Sequence, residues 1–199
     1  MKKLVMIATM MMAVVCANAQ FAPGTISIQP KLGLGASTLT NIDDNDPTAA
    51  GLIGVEFESQ VKNWLGISIG ADFQLVGTGY EDISNITTDR RTDLGYIAIP
   101  AMANFYVVKG LALKAGLQPG FLVHAKEHFK KNGTKFDNDV KDGCEKFDLA
   151  IPIGISYQFP IPIVLDTRFI FGTSNVFKDT SKTYSNVTFM ISVGYKFAL

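Results

Sequence analysis

The chain has 199 residues, with 18 lysines and arginines against 18 aspartates and glutamates, so its formal net charge is zero. A protein that binds nucleic acid needs a concentrated basic face, and this balance argues against such a partner. The length predicts a single domain, and the 47% of hydrophobic residues is that of a folded protein.

The N-terminus has the three parts of a secretory signal peptide. Met1-Lys2-Lys3 supplies positive charge, residues 4–15 form a short apolar run, and Ala17-Asn18-Ala19 is a small-residue cleavage site. We predict that residues 1–19 are a cleaved signal peptide and that residues 20–199 form one outer-membrane β-barrel domain.

The two cysteines bear on where the signal peptide is cleaved and on whether a disulfide can form. A lipoprotein site at Cys16 is the alternative, but Val15 before it is bulkier than the small residue that such sites carry. Cleavage after Ala19 leaves Cys144 alone in the mature chain, so no intramolecular disulfide is expected.

Eight segments of the mature chain alternate large apolar residues with small or polar ones. Successive side chains on a strand point to opposite faces, so each segment is predicted to be a two-faced β-strand. In chain order the predicted strands are residues 25–36, 51–60, 65–76, 94–107, 111–123, 147–159, 161–172 and 187–199. The fourth is the least regular, being apolar on both faces. Their lengths match the roughly 9–11 residues that cross a bilayer at a tilt, not the roughly 5–6 of a soluble strand.

The connections between the predicted strands alternate between short and long. Tight turns lie near Lys62-Asn63, Lys109-Gly110 and Pro160, and the long polar loops are residues 37–50, 78–93, 125–146 and 173–185. Short periplasmic turns and long external loops are typical of outer-membrane barrels. The sequence therefore predicts an all-β fold, an eight-stranded antiparallel up-and-down transmembrane β-barrel.

The glycines indicate which face of the barrel looks inward. They fall on the polar face of the strands: Gly33, Gly35, Gly54, Gly66, Gly70, Gly116, Gly120, Gly154, Gly172 and Gly194. A glycine inside a strand costs roughly 0.5–1 kcal/mol relative to alanine. A soluble, lipocalin-like barrel with water on its polar face would gain nothing for that cost. A crowded eight-stranded lumen needs small residues, so the polar face is predicted inside and the apolar face against lipid.

Aromatic residues fall near both ends of the predicted strands, as interfacial girdles do. Those near the short turns are Phe57, Trp64, Tyr157, Phe159, Tyr195 and Phe197, and those near the long loops are Phe73, Phe121, Phe147, Phe171 and Phe189.

Four short motifs carry a resemblance to a known family. They are Tyr96-Ile97-Ala98-Ile99-Pro100, residues 113–120 (Leu-Lys-Ala-Gly-Leu-Gln-Pro-Gly), Leu165-Asp166-Thr167-Arg168-Phe169 and Gly194-Tyr195-Lys196-Phe197. The sequence resembles the PorT-like outer-membrane β-barrel family of Bacteroidetes-type bacteria. The resemblance implies a barrel that is accessory to a secretion or surface machinery. One departure is the ending, because Ala198-Leu199 follow Phe197 where such barrels commonly finish on an aromatic residue.

No catalytic, cofactor or metal site is predicted. Residues 124–128 read His-Ala-Lys-Glu-His and match the H-x-x-E-H pattern of inverted zinc peptidases. That chemistry needs both histidines one turn apart on a helix, whereas this segment is predicted to leave a strand and enter a polar loop. Cys144 has no basic cluster around it in sequence to activate its thiol.

Nine charged residues fall on the predicted inward face: Lys31, Glu56, Glu58, Asp72, Lys114, Asp148, Asp166, Arg168 and Lys196. They can form a binding or ion path, or a plug of paired charges that fills the lumen, and eight strands favour the plug. Arg168 is expected to pair with Asp166, or with Asp72 or Glu56 from a facing strand.

The sequence predicts a non-enzymatic outer-membrane protein with a structural or interaction role, in contact with outer-membrane lipid and with other envelope or secretion proteins. A small membrane enzyme acting on lipid or peptide, and a soluble ligand-carrying barrel, are the alternatives.

Overall fold

The computed structural model describes residues 21–41, 45–80, 87–131, 134–178 and 183–199. The predicted signal peptide, its cleavage site and Cys16 lie outside the described residues. Within these ranges the elements are β1 (Ile26–Leu39), β2 (Asn45–Lys62), β3 (Leu65–Tyr80), β4 (Thr87–Ala98), β5 (Ala101–Val108), β6 (Leu111–Lys131), β7 (Thr134–Asp139), a 3-10 helix (Lys141–Gly143), β8 (Phe147–Gln158), β9 (Ile163–Gly172), β10 (Asn186–Tyr195) and β11 (Phe197–Ala198).

The strands form one closed antiparallel sheet. The hydrogen-bonded order is β1, β2, β3, β4, β6, β8, β9 and β10, and β10 pairs back to β1 from Lys31↔Gly194 to Leu39↔Asn186. β4 and β5 are two halves of one wall strand, as are β10 and β11, and β7 lies outside the ring as a hairpin partner of β6. The ring therefore has eight wall strands in up-and-down order, which confirms the predicted fold class.

A proline explains the break in the fourth wall strand. Pro100 has no N–H to donate to a ladder, and regular strand pairing stops at Ala98 and resumes at Ala101. The backbone still bridges the gap, since Ile99 N–H donates to the Pro119 carbonyl at 2.8 Å and Gly70 N–H donates to the Pro100 carbonyl at 2.8 Å. The wall of the barrel remains closed there.

The short connections lie where the sequence predicted them, between β2 and β3, β5 and β6, and β8 and β9. Gly110 ends the second of these turns with φ of 81°, a left-handed conformation that favours glycine in tight hairpins. β1 begins and β11 ends at this same rim, where Ser27 pairs with Ala198.

The two faces of the wall differ sharply. Large apolar side chains point outward, with Leu32, Leu34 and Ile53 exposed by 64%, 73% and 64%, whereas Lys31, next to Leu32 in the pattern, is 4% exposed. No helix within the described ranges is long and apolar enough to cross a membrane. A continuous apolar outer face is costly in water and suits lipid, which argues against the soluble barrel.

Five wall strands are longer than predicted. β1, β2, β3 and β6 have 14, 18, 16 and 21 residues, and β4 starts at Thr87, inside a segment predicted as loop. The hairpin partner β7 was not predicted at all. The predictions were wrong here because alternation marks a strand only where one face meets lipid. Beyond the membrane both faces are polar, and backbone pairing alone extends the sheet.

The apolar character of the fourth wall strand on both faces also has a structural explanation. Ile97 and Ile99 point outward, while Leu94 and Tyr96 are buried at 0% and 5% exposure. The inner apolar side chains belong to a cluster that closes one end of the lumen, described below.

Candidate functional site

Six charged side chains meet in the middle of the lumen. We call this set the lumen cluster: Lys31, Glu56, Asp72, Lys114, Asp166 and Arg168. All six are buried, none more than 4% exposed. They come from β1, β2, β3, β6 and β9, so the cluster ties together strands from most of the ring.

Arg168 holds two carboxylates at once. Its Nε lies 2.5 Å from Asp166 Oδ1, and its Nη2 lies 2.7 Å from Glu56 Oε2 and 3.1 Å from Asp166 Oδ2. The Asp166 contact is bidentate, a geometry that the planar guanidinium allows and a lysine does not. Three carboxylates were predicted as possible partners of Arg168. Asp166 and Glu56 form ion pairs with it, whereas Asp72 pairs with Lys31 instead.

The two lysines complete the cluster. Lys31 Nζ lies 3.1 Å from both Glu56 Oε2 and Asp72 Oδ2. Lys114 Nζ lies 2.6 Å from Glu56 Oε1 and 3.1 Å from Asp166 Oδ2. Three bases therefore face three acids, and Glu56 is shared by all three bases. Charges this deeply buried are tolerated only when paired in this way.

Glycines make room for the cluster. In the register of the sheet Gly54 lies between Lys31 and Asp72, and Gly154 lies between Lys114 and Arg168. A Cβ at Gly54 would come 2.6 Å from the Ala71 carbonyl oxygen. Small residues beside large charged ones let the long side chains cross the narrow lumen.

The remaining predicted charges lie above and below the cluster. Toward the short-turn rim, Lys196 Nζ lies 3.1 Å from Glu58 Oε2, and Glu58 also accepts hydrogen bonds from Tyr106 at 2.5 Å and Asn104 at 2.7 Å. Asp148 lies apart from the cluster, toward the long loops. It accepts a 3.5 Å hydrogen bond from Asn186, and it has no ion pair among the described residues.

An apolar group closes the long-loop end of the lumen. We call it the stopper, and it consists of Leu39, Ala50, Leu52, Val76, Leu94, Tyr96, Leu122, Ala125, Cys144, Val176 and Met190. Cys144 and Val176 come from loop segments, and Cys144 forms an isolated β-bridge with Phe177. The stopper was not predicted from the sequence. The available signal was the inward apolar face of the fourth wall strand.

Cys144 is enclosed by the stopper. It is 0% exposed, and burial raises the pKa of its thiol. A buried thiol with a raised pKa holds less of the reactive thiolate at any given pH. The sequence-based interpretation of Cys144 as unactivated agrees with this environment.

The space between the lumen cluster and the stopper is small. A cavity of about 20 Å³ lies there, lined by polar side chains that include Gln74, Gln118, Asp148 and Asn186. That volume holds about one water molecule. The described part of the lumen is thus filled by ion pairs, a polar layer and an apolar layer in succession.

A wide open space lies outside the barrel wall's apolar band, where β2, β3, β4, β6 and β7 extend beyond it. This external cleft has a volume of about 980 Å³ and is lined by Asp46, Thr48, Gly79, Tyr80, Arg90, Arg91, His128, Phe129, Lys130, Lys135, Phe136 and Asp137. The cleft was not foreseen, because its residues were predicted to lie in loops.

His124 and His128 do not form a zinc site. They lie on β6, not in a loop as predicted, and residues four apart on a strand are separated by roughly 13 Å. Two ligands of one zinc ion lie within a few ångströms of each other. His128 instead bridges two acids, with Nδ1 2.7 Å from Asp137 and Nε2 3.2 Å from Asp93. The described residues contain no group of three or more His, Cys, Asp or Glu side chains arranged to hold a metal ion.

Solved outer-membrane barrels are similar to this chain in fold. Neisserial surface protein A has a TM-score of 0.51 at 13% identity, covering 89% of this chain and 100% of that protein. The attachment invasion locus protein Ail of Yersinia pestis has a TM-score of 0.48 at 18% identity, covering 88% and 99%. OprG from Pseudomonas aeruginosa has a TM-score of 0.45 at 13% identity, covering 92% and 100%. No curated protein sequence matches this chain.

A family model identifies the chain more directly. The model described as outer membrane protein beta-barrel domain matches residues 18–178, well over half of the sequence. The closed eight-stranded ring, the apolar outer face and this match agree with one another. The chain belongs to the outer membrane protein beta-barrel domain family.

Proposed function

We propose that this chain is a non-enzymatic outer-membrane barrel with a closed lumen. Its role is to anchor its external strand extensions in the membrane, where they bind a partner. The observation that carries the proposal is the filling of the lumen by the lumen cluster and the stopper. A barrel filled in this way has no space for a substrate or a stream of ions. Its external strand extensions are then the part available for interaction.

Two features support a role outside the membrane. β6 and β7 form a hairpin from Lys126↔Asp139 to Lys131↔Thr134, well beyond the aromatic residues Phe121 and Phe147 of the long-loop rim. The external cleft is built from this hairpin and its neighbours. A rigid sheet that projects beyond the lipid is a suitable platform for recognition.

An enzyme acting on lipid or peptide is the second candidate, and the geometry favours it less. A nucleophile needs a base within about 2.6–3.2 Å, and the contacts of His128 are with two carboxylates. Cys144 is enclosed and unactivated. Within the described residues, no histidine is seen in hydrogen-bond contact with a serine, threonine or cysteine side chain.

The resemblance to PorT-like barrels gives the proposal a more specific form. A closed barrel with an external platform fits an accessory of a secretion or surface machinery, which needs a membrane anchor more than a channel. Export through a signal peptide cleaved after Ala19 is part of the same proposal.

Photo-crosslinking in cells tests where the barrel meets its partner. A photo-reactive residue at Phe136, which is 43% exposed in the external cleft, should form an adduct seen as a mass shift. The same residue at Lys109, in the turn on the opposite rim, is the control. Adducts from Lys109 alone, or none from either position, would contradict the proposal.

A further inference from the structure

We propose that the external cleft binds a soluble acidic oligosaccharide, a proposal that rests on the interaction role above and names its ligand class. The cleft combines cationic side chains, exposed aromatic rings and a few carboxylates. These are the three kinds of group that recognise the acidic substituents, the C–H faces and the hydroxyl groups of a sugar chain.

Two guanidinium groups line the cleft, and among the described residues each contacts one acid. Arg90 Nη2 lies 2.9 Å from Glu127 Oε1, and Arg91 Nε lies 3.4 Å from Asp93 Oδ2, so each guanidinium uses one nitrogen in these contacts. A guanidinium has five N–H donors, and the Arg91 side chain is 56% exposed. Lys135 is exposed at the hairpin end, directly across the β6–β7 pair from a second lysine.

Aromatic rings line the same space. Phe129 and Phe136 stack with centroids 5.5 Å apart and an interplanar angle of 16°, and Phe136 is 43% exposed. The Arg90 guanidinium lies 5.3 Å from the centre of the Tyr80 ring. The exposed Phe136 ring lies beyond the lipid and gains nothing from the bilayer, whereas the apolar face of a sugar ring packs well against such a ring.

Carboxylates in the cleft favour an acidic oligosaccharide over a ligand that carries only closely spaced negative charges. Asp46 and Asp137 also line the cleft, and Asp137 is 2.7 Å from His128. These acids would repel closely spaced phosphates, but they accept hydrogen bonds from hydroxyls. A ligand with many hydroxyls and occasional acidic groups matches the mixture.

Size and position favour a short soluble chain. The volume of about 980 Å³ is near the upper end of the roughly 300–1,000 Å³ of small-ligand sites, which suits an oligosaccharide better than a single sugar. Phe129 lies eight residues beyond Phe121 of the long-loop rim, roughly 26 Å along the strand. The cleft is therefore clear of the lipid–water interface and faces the external medium.

The test is a titration of refolded full-length protein in glycolipid-free nanodiscs. Fluorescent trigalacturonate should bind saturably and about tenfold more tightly than neutral maltotriose, a difference of about 1.4 kcal/mol. Arg91→Gln with Lys135→Gln should remove that preference, and Phe136→Ala should weaken both sugars. Lys109→Gln removes a charge from the opposite rim and should change nothing.

Several results would overturn the inference. They are an absence of saturable binding, equal affinity for the two sugars, or equal effects of Lys109→Gln and the cleft variants. Binding that appears only when lipopolysaccharide is added to the nanodiscs would assign the cleft to a glycolipid headgroup instead. Each variant must first show the gel shift of a closed barrel. If the sugars fail to bind but Phe136 still crosslinks in cells, the interaction role stands and only the ligand class is wrong.

Discussion

Removing Arg168 should destabilise the barrel more than any exposed substitution. Arg168→Leu leaves Lys31 and Lys114 facing three buried carboxylates, so one negative charge in the lumen loses its partner. Breaking a buried ion pair by removing one member costs about 3–5 kcal/mol, because the remaining charge is desolvated and uncompensated. Domains are stable by only about 5–15 kcal/mol, so the loss is a large fraction of the total.

A double variant separates lost pairing from lost packing. Arg168→Leu combined with Asp166→Leu restores equal numbers of bases and acids, since Lys31 and Lys114 remain with Glu56 and Asp72. Replacing a whole buried pair by apolar residues is often neutral or stabilising. The double variant should therefore recover most of the stability that the single variant loses.

The assay is denaturant unfolding of refolded protein in lipid, followed by the gel shift of the closed barrel and by Trp64 fluorescence. Lys109→Ala, in an exposed turn, is the matched control for loss of a positive charge. A single shared midpoint for Arg168→Leu and Lys109→Ala would refute the prediction, because it would mean that water already solvates Arg168. A double variant no more stable than Arg168→Leu would show that charge balance is not the cause.

Three further predictions address the wall and the stopper. Ile153→Arg should block membrane assembly, because this outward side chain is 51% exposed and a lipid-facing cation near the midplane costs roughly 2–4 kcal/mol. Assembly as efficient as that of the control Ile153→Leu would reverse the inside–outside assignment. Cys144 should resist maleimide in the folded barrel at pH 8 and react after unfolding, because it is 0% exposed and burial raises the pKa of its thiol. Rapid labelling of the folded protein would show that the stopper is open. Gly35→Ala should lower the unfolding midpoint, because the added Cβ would meet the Phe189 carbonyl oxygen. Gly51→Ala is the control, since nothing lies within 4 Å of its Cβ, and equal midpoints for the two variants would rule out close packing at Gly35.

The sequence predicted the membrane part of the fold well for a physical reason. Where one face meets lipid and the other lines a narrow lumen, side chains must alternate, and that period-2 pattern is local. Ile151, Ile153 and Ile155 on β8 are outward in the structure, and Pro152 and Ser156 between and beside them are buried. The eight wall strands, their faces and their short turns follow from this constraint.

The external sheet and the stopper carried no such pattern. Residues 126–131 and 134–139 are mostly charged or polar on both faces, so nothing in the sequence distinguishes a paired hairpin from a loop. Cys144 is an isolated apolar residue in a polar segment, and Val176 has only Phe177 beside it as an apolar neighbour in sequence. Their burial depends on how distant loops fold over the lumen.

Ion pairing in the lumen was also only partly predictable. Periodicity places Arg168, Glu56 and Asp72 on the same inner face, but which carboxylate meets which base depends on the shear of the barrel. Shear is set by the register of all eight wall strands together. In the structure it brings Arg168 to Glu56, 112 residues away in sequence, and gives Asp72 to Lys31.

Single-channel recording tests the closed lumen most directly. Refolded protein that shows the gel shift of a closed barrel is inserted into planar bilayers, and current is recorded at both polarities. The ion pairs of the lumen cluster and the apolar stopper predict no steady conductance at either polarity. A stable open channel would contradict the closed lumen and make the charges of the lumen cluster a conduction path.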